Sequence, residues 1–220
     1  MGSDLLTILF RPDEYFREHA QEEAALGMPL GIVFVYALLS ALGGYQMSSL
    51  MTPMFEGGME GYGAVIGIFG AVGGFIAGIM FWILAAVVFY LVSMLFKGEG
   101  SLKKVAEAAG YGMAPFIASV GIGIAYLATV ADQVTIPVIR DFMDPAAIDA
   151  AVEAFLAQPV MADVMLLQGV LSLVFMIWAA NIWYYGIRYA RNLTGRDAGI
   201  VVLVPVAIYL LVTIMSIGVL

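Results

Sequence analysis

The chain has 220 residues, of which 63% are hydrophobic and only 12% charged, and its mean hydropathy is +0.99. A soluble domain carries about 25% charged residues, so this composition is built for a bilayer and excludes a soluble enzyme. The net charge of −8, from 9 Lys and Arg against 17 Asp and Glu, lacks the basic footprint that nucleic-acid partners need, and the absence of cysteine with a single histidine, His19, removes disulfides, thiolate chemistry and Cys- or His-built metal centres.

Residues 4–23 come first in chain order. Leu5, Leu6, Ile8, Leu9 and Phe10, then Tyr15 and Phe16 beyond Pro12, are interleaved with acids and with Arg11 and Arg17. This pattern predicts an amphipathic helix lying on the membrane surface with its apolar face among the headgroups. It serves either as a plain lead-in or as a docking handle for a partner. Residues 1–28 together read as a cytoplasmic interfacial segment. No cleavable signal is expected, because the early segment is acidic and no small-residue cleavage site follows a short apolar stretch. Leu6 stands where N-myristoylation needs Ser or Thr.

Residues 29–220 then read as a membrane domain. A spanning helix needs about 20 predominantly apolar residues, and five stretches free of charge meet that need, near 29–49, 70–96, 111–131, 164–187 and 199–220. The run 61–96 is too short for two spans and a turn. It holds one span, with 61–73 either extending it or dipping into the membrane and returning at Gly73-Gly74.

Loop charges orient the five spans. One side collects Arg11, Arg17, Lys97, Lys103, Lys104, Arg188, Arg191 and Arg196, eight of the nine basic residues. The other side holds Arg140 against Glu56, Glu60, Asp132, Asp141, Asp144, Asp149, Glu153 and Asp163, a net charge of −7. Lys and Arg stay on the cytoplasmic side, so the fold class expected is an all-α, polytopic bundle with five transmembrane helices, N-terminus cytoplasmic and C-terminus external, multi-pass in the cell membrane.

The connecting pieces carry their own signals. Ser101 is placed to cap the helix that follows Gly98 and Gly100. Thr194 with Asp197 resembles a capping box at the start of the last span. Residues 145–159, bracketed by Pro145 and Pro159, put Ile148, Val152, Phe155 and Leu156 on one helical face. An external amphipathic helix over the mouth of the bundle is predicted there, as a structural lid or a gate.

Few residues carry chemistry. Gly70, Gly74 and Gly78, continuing Gly63 and Gly67, form a stripe at the spacing that lets two helices approach backbone to backbone. Its partner is either a helix of the same chain or a second copy. The intramembrane polar residues are Asn181, Gln168 and Ser172, where polar side chains serve as interhelical hydrogen-bonding groups or line a path. No ionisable residue sits mid-span, which disfavours a proton-coupled pump and a voltage sensor. Glu22-Glu23 resembles the paired glutamates of prenyl-protein-type proteases, but Gly27 stands where that motif has Arg, and no intramembrane His, Lys or aspartate pair supplies a base. No catalytic residue, metal or cofactor is assigned. Pro115 and Pro205 are expected inside spans as kinks, and Trp178, Trp183, Tyr184, Tyr185 and Tyr189 as an aromatic belt beside Arg188 and Arg191.

Four segments together resemble the Yip (Ypt/Rab-interacting protein) domain family in its short prokaryotic form. They are Leu9-Phe10-Arg11-Pro12-Asp13-Glu14-Tyr15-Phe16, Gly98-Glu99-Gly100-Ser101-Leu102-Lys103-Lys104, Ala109-Gly110-Tyr111-Gly112-Met113-Ala114-Pro115, and Trp178 through Arg188 followed by Leu193-Thr194-Gly195-Arg196-Asp197-Ala198. Pro12, Tyr111 and Pro115 are the residues most characteristic of those segments. The resemblance implies a five-span protein with a cytoplasmic N-terminus. Eukaryotic relatives act in vesicle trafficking, bind Rab-type GTPases and help shape membranes, often as oligomers. This chain departs from them in its short lead-in and in lacking their acidic Asp-Leu-Tyr-Gly-Pro type motif.

The function these readings favour is a non-enzymatic membrane organiser or adaptor, acting through helix contacts and its cytoplasmic face. Its expected partners are the lipid bilayer and either a second copy of itself or another membrane protein, with no nucleic acid. The alternative is a permease or channel for a small solute along a path near Asn181 and Gln168.

Overall fold

The computed structural model describes residues 2–55, 63–139 and 141–216. Glu56, Glu60 and Arg140, residues 61 and 62, and the end of the last expected span lie outside the described residues. All regular structure among the described residues is helical: α1 (Gly2–Phe10), α2 (Pro12–Glu18), α3 (Gly27–Leu50), α4 (Gly63–Met94), α5 (Leu102–Tyr111), α6 (Ala114–Val130), α7 (Pro145–Leu156), α8 (Pro159–Ala190) and α9 (Gly195–Ser216), with short 3-10 turns at Thr52–Phe55 and Ala131–Gln133. Five helices are long and apolar enough to cross a membrane, α3, α4, the α5–α6 pair, α8 and α9. The chain is an all-α polytopic membrane protein.

Length settles the ambiguous run. α4 is one helix of 32 residues, about 48 Å at 1.5 Å per residue, so residues 63–73 extend the second span and do not turn back at Gly73-Gly74. In hydrocarbon the backbone must satisfy itself, and an unbroken helix does so even through paired glycines. That length exceeds the roughly 30 Å hydrocarbon layer, so α4 tilts or projects beyond it.

The third span differs from expectation. Its helix begins at Leu102, where the Ser101 hydroxyl accepts from the Lys104 amide at 3.3 Å, and it breaks at Gly112-Met113 before restarting as α6. Pro115 therefore lies inside the third span, as expected, but in the first turn of α6 and not within an unbroken helix. A first turn has no intrahelical use for the missing N–H, so it fixes a helix start and not a kink. Pro205 does lie within α9. Glycine at 112, where the helix breaks, has a packing cause, since a Cβ there would collide with the Trp183 indole. That indole instead donates to the Ala109 carbonyl at 3.0 Å.

The glycine stripe meets α3 of the same chain. A Cβ on Gly70 would press on Ser48 and the Gly44 carbonyl, one on Gly74 on the Ser40 carbonyl, and one on Gly78 would lie 2.9 Å from the Ala37 Cα. This is backbone-to-backbone packing of the small-residue kind, and α3 fills the stripe from Ala37 to Ser48. α8 lies between the α5–α6 pair and α9, and α9 closes back on α4. A large apolar core surrounds Trp183 and Phe116, and a smaller cluster of Met54, Ile139, Phe155 and Met161 closes the opposite end. There the Ile139 amide donates to the Met54 carbonyl at 2.9 Å. α7 is capped by Asp144 and turns Phe155 inward, 2% exposed, while Val152 and Leu156 face outward. The inward face, Ala151 and Phe155 with Ile148 beside them on the small cluster, overlaps the predicted one at Ile148 and Phe155.

Candidate functional site: the basic end of the bundle

Between α8 and α9 the chain must reverse over a few residues, and Arg191 organises the reversal. It is 2% exposed. Its Nε donates to Ser93 Oγ at 2.8 Å, its two terminal nitrogens donate to the carbonyls of Gly98 and Gly100, and its guanidinium lies 4.5 Å from the centre of the Tyr90 ring. The Glu99 amide returns a bond to the Arg191 carbonyl at 2.9 Å. The planar fork addresses two carbonyls at once, which an ammonium cannot do. Gly100 supports this with φ of +107°, a conformation open to glycine and costly for other residues. The α4–α5 and α8–α9 turns are thereby locked together. Thr194 then caps α9, accepting from the Asp197 amide at 3.2 Å and donating to its carboxylate at 2.7 Å.

The lead-in folds onto this end as two helices. Pro12 is buried in the first turn of α2 and breaks it from α1. Ile8 is fully buried and Phe16 nearly so, while Leu6 and Phe10 face outward. Phe16 wedges against Gly186 and Ala108, where a Cβ on Gly186 would lie 3.1 Å from the ring tip. Polar bonds fix the register: the Trp178 indole donates to the Leu9 carbonyl at 2.9 Å, the Tyr189 hydroxyl donates to Asp13 at 2.7 Å, and the Tyr15 and Tyr111 hydroxyls meet at 3.0 Å. Burial pushes the Tyr15 hydroxyl above its ordinary range, so it stays protonated at physiological pH. Lys104 donates to the carbonyls of His19 (3.1 Å) and Glu22 (2.8 Å) and lies 3.5 Å from buried Glu107. The segment read as resting on the membrane is a folded part of the bundle, with half of its apolar face in the core.

The predicted residues separate into distinct places. Pro12 and Tyr111 meet at this end, and Pro115 starts the helix just beyond Tyr111. Gly70, Gly74 and Gly78 lie in the α3–α4 seam. Gln168 and Ser172 face a cavity toward the opposite end. Asn181 is exposed on the periphery of α8 and makes no hydrogen bond among the described residues, so it neither joins helices nor shares a cavity with Gln168, about 20 Å away along the helix. The sequence places Arg191 on the basic side of the charge count and beside an aromatic belt, with no role in joining turns. Its signal was subtle: an arginine directly after a span and facing a Gly-x-Gly turn, whose carbonyls are open to a fork of donors. Lys104 and Glu107, an i, i+3 pair, were likewise passed over.

Around these contacts the surface is open and mixed in charge. A recess of about 610 Å3 is lined by Arg17, Gln21, Glu99, Arg188 and Asn192. The fold and this end define a polytopic helical membrane protein whose N-terminal helix pair is built into a platform of mixed charge, eight basic residues against nine acidic ones. The Yip1 domain profile matches residues 6–217, and an uncharacterized protein of Methanocaldococcus jannaschii is 36% identical over 125 residues, 56% of this chain and 89% of the relative. No solved structure matches the chain. The chain belongs to the Yip1 domain family.

Proposed function

We propose that this protein is a non-enzymatic organiser or adaptor of the cell membrane, holding a partner protein on the platform at its basic end. The observation that carries the reading is convergence: three of the four family-like segments, far apart in sequence, bond to one another through Trp178–Leu9 and Tyr15–Tyr111, and the fourth is held at the same end by Arg191, from between the two parts of the last segment, and by Lys104. A solute pathway would concentrate such polar contacts along the spans and not at one mouth. Arg17 is left exposed at the recess, and Lys103 and Arg196 elsewhere on this end, where a partner of complementary charge can be steered and held.

The basic end faces the cytoplasm on this proposal, with residues 1–28 inside and the C-terminus outside, because eight of nine basic residues belong to it. The chain has no cysteine, so single cysteines report topology directly. Met143→Cys and Ala150→Cys, both exposed, are expected to react with an impermeant maleimide in intact cells. Glu99→Cys and Arg196→Cys, exposed at the other end, are expected to react only after permeabilisation. Labelling of Glu99→Cys from outside overturns the orientation.

The adaptor reading is tested by cross-linking in native membranes, followed by purification and mass spectrometry. A stoichiometric partner is expected, with at least fivefold less recovered from the Arg17→Glu, Arg188→Glu double variant, since reversing two rim charges replaces attraction by repulsion. Recovery of the chain alone, or of a partner indifferent to that double variant, rejects the platform as the docking face.

A further inference from the structure

The end opposite the platform contains a cavity of about 530 Å3 between α3, α7, α8 and α9. One side of it is polar. Gln168 and Ser172 stand one turn apart on α8, and Tyr209 and Thr213 one turn apart on α9, so each pair presents a single face. Ser172 Oγ and the Tyr209 hydroxyl lie 2.7 Å apart. Two hydroxyls sharing one hydrogen leave a second hydrogen to donate outward, with lone pairs to spare. Thr213 is occupied by its own helix, donating to the Tyr209 carbonyl at 3.0 Å. The Gln168 amide lies over Gly123 of α6, where a Cβ would be 2.7 Å from its Nε2, and it makes no hydrogen bond among the described residues. Gln168 is exposed at the cavity, so its amide is open to a ligand there.

The rest of the wall is hydrocarbon and thioether. Met47 and Met51 come from α3, Met165 from α8, and Phe155 and Leu156 from α7. Methionine walls adapt to flexible apolar shapes. No charged side chain lines the cavity among the described residues, so an ionised headgroup would enter a low-dielectric site with nothing to compensate it. A small hydrophilic solute would leave the methionine wall facing water.

We propose that this cavity is a binding site for a neutral amphiphile, a lipid whose hydroxyl or carbonyl group hydrogen-bonds Gln168 and the Ser172–Tyr209 pair while its chain lies along the methionine wall. This site is separate from the platform, and its occupancy does not depend on the adaptor reading.

The test uses the full chain in nanodiscs and a hexadecanol probe carrying a diazirine and an alkyne. Cross-links are mapped by mass spectrometry and competed with hexadecanol, hexadecane or hexadecyl phosphate. Labelling is expected on α8 and α9 around the polar face, with hexadecanol competing about fivefold better than hexadecane, the factor expected of one net hydrogen bond, and hexadecyl phosphate competing no better than hexadecane. Gln168→Leu with Ser172→Ala is expected to bring the first two competitors level. Met165→Trp, at a partly exposed wall position, is expected to abolish labelling, and Val152→Trp, at a residue that lines the same cavity from α7, provides the same block if that variant fails to fold. Equal competition by hexadecane or by hexadecyl phosphate on the unmodified chain overturns the proposal. So does labelling spread over every lipid-facing helix, or protection by glycerol, which would mark an aqueous path.

Discussion

Gly74→Leu is expected to abolish folding of the bundle, while Gly73→Ala, one residue away, leaves it as stable or slightly more so. Both positions are glycines in the middle of α4, and propensity alone cannot separate them. At Gly73 a Cβ meets nothing within 4 Å, whereas at Gly74 it would run into the Ser40 carbonyl and the Ala41 backbone. Overpacking against a side chain typically costs about 1–3 kcal/mol because the neighbour can move. Here the neighbour is the backbone of a helix hydrogen-bonded along its whole length, so α3 and α4 must separate. That separation also breaks the contacts at Gly70 and Gly78, and the expected cost is more than about 3 kcal/mol. Gly73→Ala removes only backbone freedom from the unfolded state and is expected to gain about 0.5–1 kcal/mol. Denaturation by SDS, followed by circular dichroism and by resistance to proteolysis, measures both. A folded, normally stable Gly74→Leu protein rules out the described α3–α4 seam.

That seam also shows how far the sequence can be read. Spacing alone identified the stripe, because close helix approach demands small residues at every fourth position whatever the partner. Which helix fills it was not assigned: Ser40, Gly44 and Ser48 of α3 repeat at the same four-residue spacing, but serines stand out less than glycines as residues of close helix packing. Five spans were legible for a similar reason, since hydrocarbon thickness fixes the length of an apolar run. The need for glycine at 112, where the third span breaks, was not, because the group that packs on it lies 71 positions away in the Trp183 ring. The lead-in was read as amphipathic, yet its inner face meets protein and not headgroups. Periodicity reports that a face is apolar, and it cannot distinguish lipid from a neighbouring helix as the surface that covers it. The candidate platform suffered most. Its bonds run mostly from side chains to distant carbonyls, as from Trp178 to Leu9 and from Arg191 to Gly98, and a carbonyl has no signature in a sequence.

Arg191→Met is expected to release the α4–α5 and α8–α9 turns from one another without disrupting the spans. The substitution keeps an apolar stem of similar length but orphans the carbonyls of Gly98 and Gly100 and leaves Ser93 Oγ only its own bond to the Tyr90 carbonyl at 2.6 Å. A buried polar group left without a partner costs about 1–3 kcal/mol, and the contact over Tyr90 is lost as well. Water reaching the opened turn recovers part of this, so a net loss of about 3 kcal/mol in local stability is expected. That figure predicts about a hundredfold faster tryptic cleavage at Lys97 or Lys103, both exposed, when cleavage tracks the open population. Arg191→Lys retains the charge but reaches one carbonyl where the fork reaches two, and is expected to restore less than half of the loss. Arg188→Met, three residues earlier and stacked only on the adjacent Tyr189 ring at 5.4 Å, is expected to change the cleavage rate little. Equal protection in Arg191→Met and the unmodified chain shows that the two turns hold together without the guanidinium. The measurement also bears on the proposed function, because Arg188 and Asn192 on one turn and Glu99 on the other line the same recess: a partner that needs both walls is lost from Arg191→Met and kept by Arg191→Lys only to the extent that the turns stay joined.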